Sequence, residues 1–166
     1  MIIHGRARVF GDDLNTDYII SSSRKRQTID ADVLKAFLFE SVAPGFAASV
    51  QPGDLVVAGR NFGCGSAMEV AVTVLQAAGI GAVLARSFAR SFYRNAINNG
   101  LLVVECDSSG MAEGDDLSVS LAGASISVRN LTRDATIPGS PLPATVVKIL
   151  EHGGLIPYLA ANGGFR

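Results

Sequence analysis

Between residues 54 and 78 an apolar strand pattern runs through a glycine-rich turn straight into a helical pattern, and this junction restricts the chain to an α/β arrangement. Asp54-Leu55-Val56-Val57-Ala58 reads as a buried strand, and the run from Ser66 to Ala78 has helical period with Ser66 at its mouth. The turn between them is Gly59-Arg60-Asn61-Phe62-Gly63-Cys64-Gly65-Ser66-Ala67-Met68-Glu69. A helix mouth presents unpaired backbone N–H groups and the positive end of the helix dipole, so a carboxylate or a developing oxyanion is stabilised there. Glycines at 59, 63 and 65 would let a ligand approach the backbone closely. Ser66 has a plainer role open to it. With Glu69 it makes the S-x-x-E spacing of a capping box, in which the serine only closes the helix.

Two nucleotide motifs are excluded at this turn. A phosphate-binding P-loop needs Lys-Ser or Lys-Thr after its last glycine, and Gly65 is followed by Ser66 and Ala67. A G-x-G-x-x-G dinucleotide fingerprint fails because Gly63-x-Gly65 leads into Ser66-Ala67-Met68.

The pattern continues as strand 55–58, helix 66–78, strand 80–86, helix 88–98 and strand 101–106, an order that calls for parallel crossovers with helices packed on a sheet. Gly79 and Gly100 stand just past the two helices, where a left-handed residue closes the last turn. Phe88, Phe92 and Ala96 form a core stripe with Tyr93 and Ile97 beside it, while Arg90 and Arg94 make a separate i, i+4 row. An opening strand spans Gly5 to Phe10, a polar loop Gly11 to Thr28, and a helix capped by Asp30 runs from Ala31 to about Ser41. Alternation in 117–121 and 126–128 around Gly123 reads as a hairpin. A proline-rich linker, Pro138 to Pro143, precedes a helix from Ala144 to His152 that Gly153-Gly154 stops.

The chain of 166 residues is long enough to bury a core without metal or disulfide help. A mean hydropathy of +0.33 with 17% charged residues implies that part of the surface meets a partner. Lys and Arg number 14 against 15 Asp and Glu, which leaves no broad basic face for nucleic acid or membrane. With no long apolar run and no signal-peptide pattern at Met1-Ile2-Ile3-His4-Gly5-Arg6, the expected location is cytoplasmic. Cys64 and Cys106 are too few for an iron–sulfur cluster or a structural zinc site, so no metal-ligating residues are expected in this chain. His4 and His152 lie far from both cysteines in sequence, which argues against either thiol as a nucleophile.

Three segments, in order, carry a resemblance to a known family. They are Gly11-Asp12-Asp13-Leu14-Asn15-Thr16-Asp17-Tyr18-Ile19-Ile20, then Gly59-x-Asn61-Phe62-Gly63-Cys64-Gly65-Ser66, then Ala85-Arg86-Ser87-Phe88-Ala89-Arg90-x-Phe92-Tyr93-Arg94-Asn95-Ala96-Ile97-Asn98-Asn99-Gly100. Together they resemble the small subunit of 3-isopropylmalate dehydratase, in the aconitase superfamily. The resemblance implies one swivelling β/β/α domain over residues 1–166, with a mixed sheet core and flanking helices. It also implies a hydro-lyase that removes water from a hydroxy acid and adds it back one carbon over, here converting 2- and 3-isopropylmalate in leucine biosynthesis. In that family a large partner subunit holds the 4Fe-4S cluster, whose open iron acts on the leaving hydroxyl, and the small subunit supplies the base and the anion contacts. No cofactor is then expected on this chain itself.

By the same resemblance Ser66 is the catalytic serine, taking a proton as an alkoxide, and Asp17 is the acidic site residue that orients a cation or the serine. From the residues alone, Asp17 is equally an Asx turn. Gly63, Gly65 and Ala67 fall at the substrate-binding mouth. The family motif continues Gly-Ser-Ser-Arg-Glu, whereas Ala67 and Met68 stand here, so the arginine that would grip a substrate carboxylate is missing. Arg24, Lys25 and Arg26 are candidates to replace it, the alternative being a solvated basic turn. Arg90 and Arg94 either face solvent or turn toward the site or the partner. Two other functions stay open: a related dehydratase subunit acting on another substituted malate or a homoaconitate-like acid, and a non-catalytic anion-binding module.

Overall fold

The computed structural model describes residues 1–164. Four strands, β1 (Ile2–Val9), β2 (Leu55–Ala58), β3 (Ala82–Ala85) and β4 (Leu102–Glu105), pair in parallel. Three more, β5 (Asp116–Ala122), β6 (Ser125–Asn130) and β7 (Ala135–Gly139), extend the sheet from β1 in antiparallel fashion. The order is β4-β3-β2-β1-β5-β6-β7. A bridge between Cys106 and Gly139, with the Ser140 N–H donating to the Glu105 carbonyl at 2.8 Å, brings the two outer strands together, so the mixed sheet almost closes on itself.

Burial explains the two halves. The residues of β2 and β3 are buried on both faces, as parallel strands covered by helices must be, while β5 and β6 alternate buried and exposed. The covering helices are α5 (Glu69–Ala77) and α6 (Arg90–Asn98), and each ends on a left-handed glycine, Gly79 at φ +88° and Gly100 at φ +77°. The hairpin turns at Gly123, between the paired residues Ala122 and Ser125. Helices α7 (Ala144–Glu151) and α8 (Leu155–Asn162) close the chain, and Tyr158 of α8 is buried.

Several boundaries differ from the sequence expectation for tertiary reasons. The opening strand begins at Ile2 rather than Gly5. The loop expected over 11–28 contains two short helices, α1 (Thr16–Ile19) and α2 (Ser22–Lys25), capped by the side chains of Asn15 and Ser21. Asp30 does cap α3, accepting from the Asp32 N–H at 2.9 Å, but α3 covers only Ala31–Leu34 before a 3-10 turn, Lys35–Phe37. Propagation stops there because Phe39 takes φ +56° and turns into the core, its ring 4.4 Å from Phe10 and 4.9 Å from Phe46. A short α4 (Phe46–Ser49) leads toward β2. Part of the proline-rich linker is β7, an outer strand where Pro138 has no ladder hydrogen bond to donate.

Candidate active site

The turn from β2 to α5 is held from both sides. On one side the Gly63 N–H donates to the Leu14 carbonyl, the Thr16 N–H to the Cys64 carbonyl, and the Thr16 hydroxyl to the Ser66 carbonyl, at 2.8, 2.8 and 2.9 Å. On the other side the Phe62 N–H donates to the Ser87 carbonyl at 3.0 Å and the Asn61 N–H to the Ser87 hydroxyl at 2.8 Å. Asn61 sits at φ +58°, and its side-chain amide donates to Asp13. Thus the segments of all three sequence matches meet at this turn.

These bonds move the start of the helix. Cys64 forms a parallel bridge with Asn15 and the Ser66 carbonyl is held by the Thr16 hydroxyl, an arrangement the helix cannot share, so α5 begins only at Glu69 with Met68 as its N-cap. No side chain caps it, and the Ser66–Glu69 capping box does not form. Ser66 is exposed, and its hydroxyl has no hydrogen-bond partner among the described residues. The backbone N–H groups of Gly65, Ser66 and Ala67 likewise make no hydrogen bond among the described residues, and all three residues are exposed. Successive free N–H groups beside a hydroxyl form a concavity that accepts an anion.

The glycines serve the fold more than a ligand. A Cβ at Gly63 would lie 2.3 Å from the Phe92 ring, at Gly65 2.5 Å from the Asn15 side chain, and at Gly59 1.8 Å from Asp12 Oδ1. The side of each glycine on which a Cβ would stand is therefore taken by the protein's own groups. With its N–H spent on Leu14, Gly63 offers no donor to a substrate, whereas Gly65 and Ala67 each retain theirs.

The three loop cations have separate fates. Arg24 is committed elsewhere: its guanidinium forks onto Glu40 at 2.9 and 3.0 Å and lies 3.7 Å over the Phe37 ring. That pair raises the Arg24 pKa and holds Glu40 below the usual carboxylate range. Arg26, at the C-cap of α2, is exposed and has no carboxylate partner among the described residues. Lys25 reaches into the site, its Nζ contacting the Met68 sulfur and standing 3.8 Å from Asp17 Oδ1. The Lys25 ammonium thus lies beside the Met68 side chain. Asp17 accepts from the Ser22 hydroxyl at 2.6 Å, while the Asx turn in this loop belongs to Asn15, whose Oδ1 accepts from the Asp17 N–H.

Cys64 is partly buried in the turn, and burial together with the Asp13 charge pushes its thiol up, so it is not poised as a thiolate. Cys106 is buried at the end of β4 and pushed up to about 11, mainly by burial. Among the described residues no cluster of three or more His, Cys, Asp or Glu could hold a metal ion, and no helix is long and apolar enough to cross a membrane. Sequence reasoning singled out Ser66 but passed over Asn15, Thr16 and Ser22, which hold the site together. Asn15 directly ahead of Thr16-Asp17 was the available signal, since asparagine at that place caps a helix.

Residues 39–109 match the aconitase C-terminal domain. The 3-isopropylmalate dehydratase small subunit of Moorella thermoacetica is 44% identical over 162 residues, covering 96% of each chain. The isopropylmalate/citramalate isomerase small subunit of Methanocaldococcus jannaschii is 45% identical, covering 95% of this chain and 94% of the relative. A crystal structure of 3-isopropylmalate dehydratase from Methanocaldococcus jannaschii matches with a TM-score of 0.91 at 40% identity, over 98% of this chain and 96% of that one. Likeness of this degree over the whole length, with the same mixed sheet and flanking helices, settles the relationship: the chain belongs to the 3-isopropylmalate dehydratase small-subunit family of the aconitase superfamily.

Proposed function

We propose that residues 1–166 form one swivelling unit that works as the small subunit of a hydro-lyase interconverting 2- and 3-isopropylmalate, in company with a large subunit. That partner is expected to carry a 4Fe-4S cluster, which supplies Lewis-acid help to the leaving hydroxyl. This chain provides the other half of the chemistry. The free N–H groups of Gly65, Ser66 and Ala67 receive a substrate carboxylate, and Lys25 adds the charge that Met68 does not. Ser66 Oγ, as the alkoxide, takes the proton from the carbon beside that carboxylate and returns it in the hydration step. Asp17 keeps the Lys25 ammonium at this edge of the site.

The observation that carries this reading is the Ser66 hydroxyl, exposed and released from helix capping beside three unused N–H donors. A second substrate, citramalate, is favoured by the joint isopropylmalate/citramalate name of the Methanocaldococcus relative. Co-expression with a large subunit of the family, anaerobic cluster reconstitution and a screen of 2-isopropylmalate, citramalate and homoaconitate tests the proposal. Turnover of 2-isopropylmalate or citramalate by the pair, and by neither subunit alone, is expected. A cluster-loaded complex that turns over none of the acids would leave the chain an anion-binding module.

A further inference from the structure

A second site of a different character lies on the outer face of α6. A cleft of about 270 Å³ opens between this helix, β4 and the connection that follows β7. Its apolar lining includes Phe88, Val103 and Leu142, and its polar lining Arg90, Arg94 and Glu105. Arg6, Arg8, Arg24, Arg86, Arg129 and Arg133 each pair with a carboxylate, whereas Arg90 and Arg94, like Arg26 and Arg60, pair with none among the described residues, and these two share one cleft. Two like charges at i, i+4 repel, and α6 has no acidic residue in its first turn to offset them. Glu105 shares the cleft and pairs with neither arginine. Both signs of charge therefore face one small cavity with an apolar wall.

We propose that this cleft binds a small aliphatic acid bearing a hydrogen-bond donor on the carbon next to its carboxylate, that is, an α-hydroxy or α-amino acid. Arg90 and Arg94 receive the carboxylate as guanidinium forks. Glu105 accepts from the hydroxyl or ammonium, and the aliphatic group lies on Phe88, Val103 and Leu142. Tyr93, whose phenol is kept protonated by burial and by the Glu105 charge, supplies a further donor. Occupancy is coupled to the Ser66 turn by direct packing. Phe88 meets Phe62 edge to face at 6.0 Å, and Phe92, one turn along α6, fills the space beside Gly63. A ligand that fixes Phe88 thus bears on the turn that presents the catalytic hydroxyl.

The test is titration of the 15N-labelled full chain with 2-hydroxy-4-methylpentanoate, L-leucine, 4-methylpentanoate and 4-methylpentanamide. Saturable amide shifts clustered at 88–94, 103–105 and 140–142 are expected with at least one of the first two, weaker ones with the unsubstituted acid, and none with the amide. The exposed Arg90→Gln/Arg94→Gln pair should retain the wild-type melting temperature and weaken binding about tenfold or more. Glu105→Gln separates the two sources, since it should weaken the amino acid more than the hydroxy acid. Absence of saturable shifts at tens of millimolar, or equal binding of the amide, overturns the proposal. So does protection of the same amides by the large subunit with loss of acid binding, which would make the cleft a subunit contact.

Discussion

Replacing Gly63 by alanine tests whether the glycine turn is shaped by its own packing or by a ligand. The new Cβ would sit 2.3 and 2.4 Å from Phe92 Cγ and Cβ, far inside contact distance, on a residue at φ +77°. A left-handed residue with a Cβ costs about 1–2 kcal/mol, and overpacking a tight core site about 1–3 kcal/mol. Phe92 cannot yield cheaply, because it is buried and edge-on to Phe62 at 5.0 Å. The sum, about 2–5 kcal/mol, is a large part of the roughly 5–15 kcal/mol that holds a domain together. At about 2–4 °C per kcal/mol for a chain of this size, the melting temperature should fall by about 4–20 °C. Calorimetry on Gly63→Ala and on Gly110→Ala, which has no atom within 4 Å of its added Cβ, gives the measurement and its control. Phe92→Ala combined with Gly63→Ala should cost less than the sum of the two alone, because the clash is gone. A Gly63→Ala melt equal to wild type, or strict additivity with Phe92→Ala, would refute the packing argument.

The loop cations should separate kinetically in the reconstituted pair: Lys25→Met should raise KM about tenfold or more. Arg24→Met should leave KM unchanged and lower the melting temperature, because it loses Glu40 and the Phe37 ring; the reverse pattern would assign substrate binding to Arg24. Acid should destabilise the chain through two carboxylates. The Ala112 N–H, Arg133 and Asn130 hold Asp115 down to about 2. Burial pushes Asp54 up, but Arg6, the Gln51 N–H and Arg8 outweigh it and keep its pKa low. Both pKa values are depressed in the folded state, so this stability is complete above the unfolded carboxylate value near about 4 and is lost as pH falls toward about 2. Melting temperature against pH should drop in that window, less steeply for Asp115→Asn, and a flat profile would contradict the assignment.

Much of the fold was legible because local and global signals agree in the central segment. β2 and β3 are apolar on both faces, and Gly79 and Gly100 end α5 and α6 where a left-handed residue is needed. The misread parts are those where a distant residue decides. Thr16, fifty positions from Ser66, unmakes the capping box, and the stacking of Phe39 with Phe10 and Phe46 stops α3. The end of β7, residues 138–139, reads as the start of a linker until its place on the outer edge of the sheet is known, and α8 escapes notice because Pro157 stands in its first turn, where proline is tolerated. At the site, the sequence could name Ser66 and three cations. Only the fold distinguishes Lys25, brought to Met68, from Arg24, spent on Glu40.

The most direct measurement is Ser66→Ala in the complex with the large subunit, read for turnover, subunit association and melting temperature together. Ser66 caps nothing and its hydroxyl is unbonded among the described residues, so stability should stay within about 0.5 kcal/mol of wild type and the subunits should still associate. Turnover should fall by about a hundredfold or more, as expected for loss of a base that acts in the transition state. Turnover within a few-fold of wild type would contradict the role given to Ser66, and a melting loss worth about 1 kcal/mol would return it to the cap that the sequence alone allowed.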